Sequence, residues 1–288
     1  MAKTAIHPDT TLGYVHLTVS DLDRSLAFYQ QGLGLKLHRR EQGTAYLGAG
    51  RAELLVLTEH PGAKRVSGTT GLYHFAILVP SRLELAKSLK QLAETGTQVE
   101  GFADHLVSEA IYLSDPDGNG IEIYRDRSRS AWQYSHGQLK MATDPLDLEA
   151  VLAELDGDVA PWTGLHPDTV LGHVHLHVAN IAQAEAFYHD VLGFELMVRY
   201  GPSASFLAAG GYHHHIGVNT WSGTALPPPE AAGLRWFVIC LPDDEALHKI
   251  VARVQRAGLK PEQQSEGLLV RDPVQNGLIL TSRCQTAA

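Results

Sequence analysis

Leu12-Gly13-Tyr14-Val15-His16-Leu17-Thr18-Val19 runs straight into Ser20-Asp21-Leu22-Asp23-Arg24-Ser25-Leu26-Ala27-Phe28-Tyr29. The first stretch reads as a strand and the second as a helix. Leu22, Leu26, Tyr29 and Leu33 recur at helical spacing and give that helix an apolar face. Ser20 is placed to cap it, with Asp23 three residues on as a box-like partner. His16 sits in mid-strand among apolar residues, where an imidazole needs a partner. The phrase returns as Leu171-Gly172-His173-Val174-His175-Leu176-His177-Val178, with Ala186-Phe187-Tyr188 behind it.

The recurrence extends outward without a gap. His7-Pro8-Asp9-Thr10 matches His166-Pro167-Asp168-Thr169, His16 matches His175, and Leu33-Gly34 matches Leu192-Gly193. A fixed offset over such a stretch marks a tandem duplication. Each half divides again. After the first helix come strand candidates at 35–37, 44–47 and 53–58. Gly71 to Val79 then restarts the cycle, with Ser81 and Glu84 as a capping pair, a helix over 83–92 and Gly96 as its stop. Strands near Val99, at 110–113 and at 121–124 follow, the last two joined by the turn Asp117-Gly118-Asn119-Gly120. Residues 127–164 break the pattern and carry one helix candidate, 146–155.

The second half repeats the cycle. Strands are expected near Phe206 and over 213–218, then an irregular Pro227-Pro228-Pro229 loop. A strand over 233–241, a helix over 243–258 and strands at 268–271 and 278–281 follow. The expected fold class is α+β: four βαβββ units forming two tandem modules, each a curved mixed sheet around a cavity. Residues 8–126 would be one module, 127–164 a linker and 165–284 the other.

The chain has 288 residues, a formal net charge of −9 and 16 His against 10 Tyr and 7 Phe. No clustered Lys/Arg run suits nucleic acid or an anionic membrane surface. No stretch is apolar and long enough to cross a bilayer, and no signal-peptide core opens the chain. Cys240 and Cys284 are too few for a disulfide framework, which suits a reducing cytoplasm. A homodimer is compatible with the sequence but not read from it.

The histidines direct attention to metal or acid–base chemistry. His16 and His74 lie on first strands, and Glu122 lies on the last strand of the second unit, each between apolar neighbours. Two imidazoles and a carboxylate make the facial set that leaves positions open on Fe(II) for substrate and oxygen. In the second half Trp236 stands where His74 would be and Ile279 where Glu122 would be, so that site reads as dismantled. His173, His175 and His177 share a strand face. With His213-His214-His215 on a later strand they form either a polar lining or a secondary site, through His175, His213 and His215, for a metal such as Zn.

Val15-His16-Leu17-Thr18-Val19, Phe28-Tyr29, Leu33-Gly34, Tyr73-His74-Phe75 and the run Tyr112-Leu113-Ser114-Asp115-Pro116-Asp117-Gly118-Asn119-Gly120-Ile121-Glu122-Ile123-Tyr124 resemble the vicinal oxygen chelate superfamily. That superfamily holds glyoxalases, bleomycin resistance proteins and extradiol dioxygenases. The two-module length is most similar to the catechol 2,3-dioxygenase branch. The resemblance implies His16, His74 and Glu122 as ligands of Fe(II), with Mn, Zn or Ni as other metals the set accepts. It implies an aromatic diol and O2 as substrates in aromatic catabolism, Tyr112 as a hydrogen bond to the bound diol, and His105 as the acid–base residue. Two other activities fit the fold. One is a glyoxalase-like isomerase or lyase, which would want a fourth ligand, with Glu53 inward beside His16. The other is a metal-free small-molecule binding protein.

Overall fold

A computed structural model of the chain describes residues 5–135, 137–158 and 160–284. The first unit is β1 (Thr11–Val19), α1 (Leu22–Ala27), β2 (Lys36–Glu41), β3 (Thr44–Gly48) and β4 (Glu53–Glu59). The second is β5 (Gly71–Leu78), α2 (Arg82–Glu94), β6 (Val99–Asp104), β7 (Ser108–Ser114) and β8 (Gly120–Asp126). A connecting segment holds a short hairpin, β9 (Tyr134–Ser135) and β10 (Gln138–Leu139), and α3 (Leu148–Leu152). The third unit is β11 (Val170–His177), α4 (Ile181–Glu185), β12 (Glu195–Tyr200), β13 (Ala204–Ala208) and β14 (Ile216–Asn219). The fourth is β15 (Gly233–Cys240), α5 (Asp244–Arg256), β16 (Glu262–Gln263), β17 (Leu268–Arg271) and β18 (Gly277–Thr281).

All four βαβββ units expected from the sequence are present. The apolar face read for the first helix is buried at Leu22, Leu26, Tyr29 and Leu33, although a π-helical turn over Phe28–Gly32 completes it. Its cap is Asp21, whose Oδ1 accepts from the Arg24 N–H at 2.9 Å. Ser20 instead donates its hydroxyl to Asp117 at 2.6 Å. Ser81 caps α2 as expected. The expected strand over 213–218 shortens to Ile216–Asn219, so His213, His214 and His215 lie in the connection leading to it.

The modules are not the two halves. One eight-stranded sheet runs β16-β17-β18-β15-β1-β4-β3-β2, and the other runs β12-β13-β14-β11-β5-β8-β7-β6. The first unit therefore joins the fourth through antiparallel β1 and β15, and the second joins the third through antiparallel β5 and β11. The segments 8–126 and 165–284, joined through 127–164, therefore each contribute one unit to each sheet instead of each closing a sheet of its own. The physical reason is that every unit offers the same first-strand edge, so main-chain pairing satisfies any two copies equally. Units adjacent in sequence are instead tied across sheets. The Tyr29 hydroxyl donates to buried Asp115 Oδ2 at 2.8 Å, and Tyr188 repeats the contact with Asp272 at 3.1 Å.

Period-2 alternation separates core from cavity. Val174 and Leu176 of β11, Phe75 and Ile77 of β5, and Ile121 and Ile123 of β8 enter one continuous apolar core that spans both sheets. Burial of such side chains is worth roughly 1.5–3 kcal/mol each. The opposite face carries His173 and His175, His74 and Ala76, and Glu122 and Tyr124. Residues 127–164 strap onto α2, where Arg82 donates to the Ala150 carbonyl at 3.0 Å and Lys87 pairs with Asp158 at 3.0 Å. Cys240 and Cys284 form a disulfide that pins the last described residues to β15. Two cysteines make no framework, but β15 and the C-terminal segment bring them together. Among the described residues no helix is long and apolar enough to cross a membrane.

Candidate metal centre

Glu122, His74 and His173 converge on the inner face of the β11-β5-β8 sheet. Register places His173 opposite Ala76 and Ala76 opposite Glu122. The methyl of Ala76 leaves room for the imidazole and carboxylate to meet over it. His74, two residues earlier on β5, completes the group. His173 Nε2 lies 3.0 Å and His74 Nε2 3.1 Å from Glu122 Oε2, and the two Nε2 atoms are 3.3 Å apart. All three side chains are buried. Three donors on one face of an octahedron, about 2.1 Å from its centre, stand about 3 Å apart. The donor set and its spacing therefore fit a divalent metal with open positions.

Burial favours the neutral form of every group here. It raises the Glu122 pKa, but the charge and hydrogen bond of His173, with the hydrogen bond of His74, outweigh it and hold the carboxyl well below its ordinary value. Burial pushes His173 down to about 4, although Glu122 pulls the other way. A carboxylate beside the neutral His173 imidazole is the protonation state that ligation requires.

His16 is not part of the group. It lies on the other sheet, where its Nε2 is hydrogen-bonded to Thr58 Oγ1 at 2.8 Å and its ring meets Trp236 edge-on at 4.3 Å. Burial, with Arg235 adding to it, lowers its pKa to about 3. The ligand set read from the sequence is thus corrected at one of its three members. His16 and His175 are true counterparts, each opposite the residue at the His74 position: Trp236 faces His16 and His74 faces His175. The third donor comes from the preceding inward position, His173, whose counterpart is Tyr14. The alternating His173-Val174-His175-Leu176-His177 run was the signal that could have located it. On the other sheet Tyr14, Trp236 and Ile279 pack into an apolar cluster with Val238 and Leu269. That packing fills the equivalent position, as Trp236 and Ile279 led one to expect.

A cavity of about 500 Å³ opens at His74 and Glu122, lined among others by Tyr112, His105, His175, His214, Phe206 and Trp221. Tyr112 lies opposite Glu122 on the neighbouring strand. His105 Nδ1 faces the Ala142 carbonyl at 2.7 Å, and its Nε2 faces the Tyr112 hydroxyl at 2.6 Å. A carbonyl only accepts, so Nδ1 carries the proton and Nε2 of the neutral ring accepts from Tyr112. Both residues singled out from the sequence beside the metal set therefore meet at the cavity. Burial, then the Glu122 charge, push the Tyr112 phenol well above its ordinary value.

Two further histidines line the cavity, His175 and His214. His175 Nε2 is buried with no hydrogen-bond partner, and an added Cβ at Gly217 would stand 2.8 Å from its Cγ. Only glycine admits this ring position. His214 lies with its ring 4.1 Å from that of His173. Its Nδ1 is 2.7 Å from His213 Nδ1, and His213 Nε2 is 2.9 Å from Asp126. Of the two readings of His175, His213 and His215, the secondary site does not assemble among the described residues. His213 turns to Asp126, and His215 Nδ1 accepts the Ala209 N–H at 3.2 Å. Glu53 is paired with Arg39 at 3.3 Å rather than placed beside His16.

The Glyoxalase/Bleomycin resistance protein/Dioxygenase superfamily model matches residues 11–123 and 170–266. The chain is 47% identical over 283 residues to catechol-2,3-dioxygenase of Bacillus subtilis (strain 168), covering 96% of this chain and 98% of that protein. A lactoylglutathione lyase of Neisseria meningitidis serogroup A is 29% identical over 121 residues, 39% of this chain and 88% of the relative. Glyoxalase I from Zea mays shares the fold with a TM-score of 0.58 at 18% identity, covering 94% of this chain and 92% of that one. With one repeat of the model in each half and a relative alike over nearly its full length, the chain belongs to the Glyoxalase/Bleomycin resistance protein/Dioxygenase superfamily.

Proposed function

We propose that this protein is an Fe(II)-dependent extradiol dioxygenase that opens the ring of a catechol-like aromatic diol with O2. The observation that carries the reading is the convergence of His74, His173 and Glu122, two of which, His74 and Glu122, line one cavity with the Tyr112–His105 pair on its wall. The full-length likeness to a catechol-2,3-dioxygenase supports it. His74, His173 and Glu122 would hold the metal. When bound, a divalent iron acidifies the hydroxyls of a chelating diol and supplies the redox chemistry that lets O2 react with the ring.

The chain's own residues do the rest. Tyr112 is placed to orient the diol by a hydrogen bond from its hydroxyl. His105 Nε2, which accepts from Tyr112, receives a proton from the diol through that hydroxyl and returns it as the ring opens. The neutral His175, with its unpartnered Nε2, offers one further hydrogen bond to a bound ligand. The apolar wall of Phe206 and Trp221 limits water at the reacting ring. Three protein donors converge among the described residues, and Glu53 stands away with Arg39, which favours this reading over an isomerase with a fourth ligand.

The test is anaerobic loading with Fe(II), followed by catechol and oxygen. A yellow ring-opened product, formed with one O2 consumed per diol, is expected. Loaded protein that turns over no catechol in a broad panel would overturn the proposal.

A further inference from the structure

We infer that the preferred substrate of this cavity is an aromatic diol bearing a bulky, uncharged apolar substituent, and that carboxylated diols are disfavoured. The inference rests on the dioxygenase reading for the placement of the diol on the three donors. What lies beyond the diol is read from the walls.

The cavity, at about 500 Å³, falls in the range that encloses drug-sized ligands, well beyond one dihydroxybenzene ring. Its mouth is aromatic. Tyr73, Tyr200 and Trp221 line it and are 37%, 50% and 50% exposed. Large apolar side chains grouped at the rim of a cleft mark a surface that a ligand covers. The Tyr73 and Trp221 rings stand edge to face, 5.5 Å apart, and Phe206 continues the wall inward against His175 at 5.5 Å. A substituent leaving the ring toward solvent therefore runs along a continuous aromatic wall.

The charge of the walls points the same way. Glu122 lies at the floor and Glu100, exposed at the rim, lies beside the mouth; among the described residues no Lys or Arg lines the cavity. A substituent carboxylate would lose hydration there without a Lys or Arg partner and would meet the Glu100 carboxylate at the rim instead.

Calorimetric titration of the Fe(II)-loaded protein under anaerobic conditions, with catechol, 4-tert-butylcatechol and 3,4-dihydroxybenzoate, tests the inference. The tert-butyl compound is expected to bind at least about tenfold more tightly than the benzoate and more tightly than catechol. Trp221→Ala should reduce the advantage of the tert-butyl compound over catechol. Glu100→Gln should narrow the gap to the benzoate. Benzoate binding as tight as that of the tert-butyl compound would sink the inference while leaving ring cleavage intact. Binding in the expected order without ring opening would sink the dioxygenase reading alone. Binding of none of the three would remove both.

Discussion

The Glu122 carboxylate is enclosed by the sheet, yet it stays ionised because two imidazole nitrogens lie within 3.1 Å of one of its oxygens. A carboxylate so placed is costly in the absence of a cation or hydrogen-bond donors. The same geometry separates the roles of two histidines that the sequence makes look equivalent. His173→Ala should reduce metal content to a small fraction of one per chain, with affinity falling by more than about 100-fold, because even outer-shell partners of a ligand are worth 10–100-fold. His16→Ala should leave the metal in place. Elemental analysis after loading and desalting reads both. At the cavity wall, His105→Gln should lower kcat by about 100-fold or more while metal content is unchanged, since positioned proton transfer contributes on that order. Rate and metal stoichiometry measured together check the outcome. The types of residue needed were visible in the chain: His74, Glu122, Tyr112 and His105 all reach the cavity. The third donor was sought in the first unit, at His16, whereas the second unit pairs with the third, which supplies His173; which units share a sheet is not written in any local pattern.

At the scale of elements, strand alternation and helix caps are local matters, and most were legible. Asp243 caps α5 by accepting from the Ala246 N–H at 2.7 Å, as a Ser/Asp/Asn before an apolar-periodic run leads one to expect. Ser20 failed as a cap because Asp117, distant in sequence, takes its hydroxyl and its N–H. The turns preceding β8 and β18 also carry long-range work. Asp115 Oδ1 accepts from the Asp117 and Asn119 N–H groups, and its other oxygen receives the Tyr29 hydroxyl. Burial raises the Asp115 pKa against those donors, so each bond counts. Tyr29→Phe should cost about 1.5–3 kcal/mol of stability, the range for a hydrogen bond to a charged group. Urea unfolding with an unchanged slope and a lower midpoint is the expected result.

For the whole molecule, the pairing of the first unit with the fourth, and the second with the third, makes the centre a joint product of both halves. His74 and Glu122 come from the second unit and His173 from the third. Polypeptides comprising residues 5–126 and 165–284, prepared separately, should each fail to bind the metal stoichiometrically, and metal binding should return when the two are co-expressed and co-purify. Acid should also destabilise the molecule. His16 and His215 have pKa values lowered to about 3, mainly by burial, against an ordinary value of 6.5. Below pH 6.5 the unfolded chain binds protons that the folded chain refuses, so stability is lost as pH falls from 6.5 toward 3. The slope is about 1.4 kcal/mol per pH unit for each group. Thermal unfolding across pH 7.5 to 5 should show the decline, and His16→Leu should flatten it.

The amino-acid order alone determined the repeat, the four βαβββ units, their core faces and the residue types of a 2-His-1-carboxylate centre. These follow from periodicity, capping and the cost of placing imidazole and carboxylate groups among apolar neighbours, all readable within a few residues. Tertiary structure decided which units share a sheet, which histidine completes the triad, and that the cysteines meet. Those choices depend on strand edges that are chemically interchangeable in sequence. Only the packing of all four units around a single core distinguishes them.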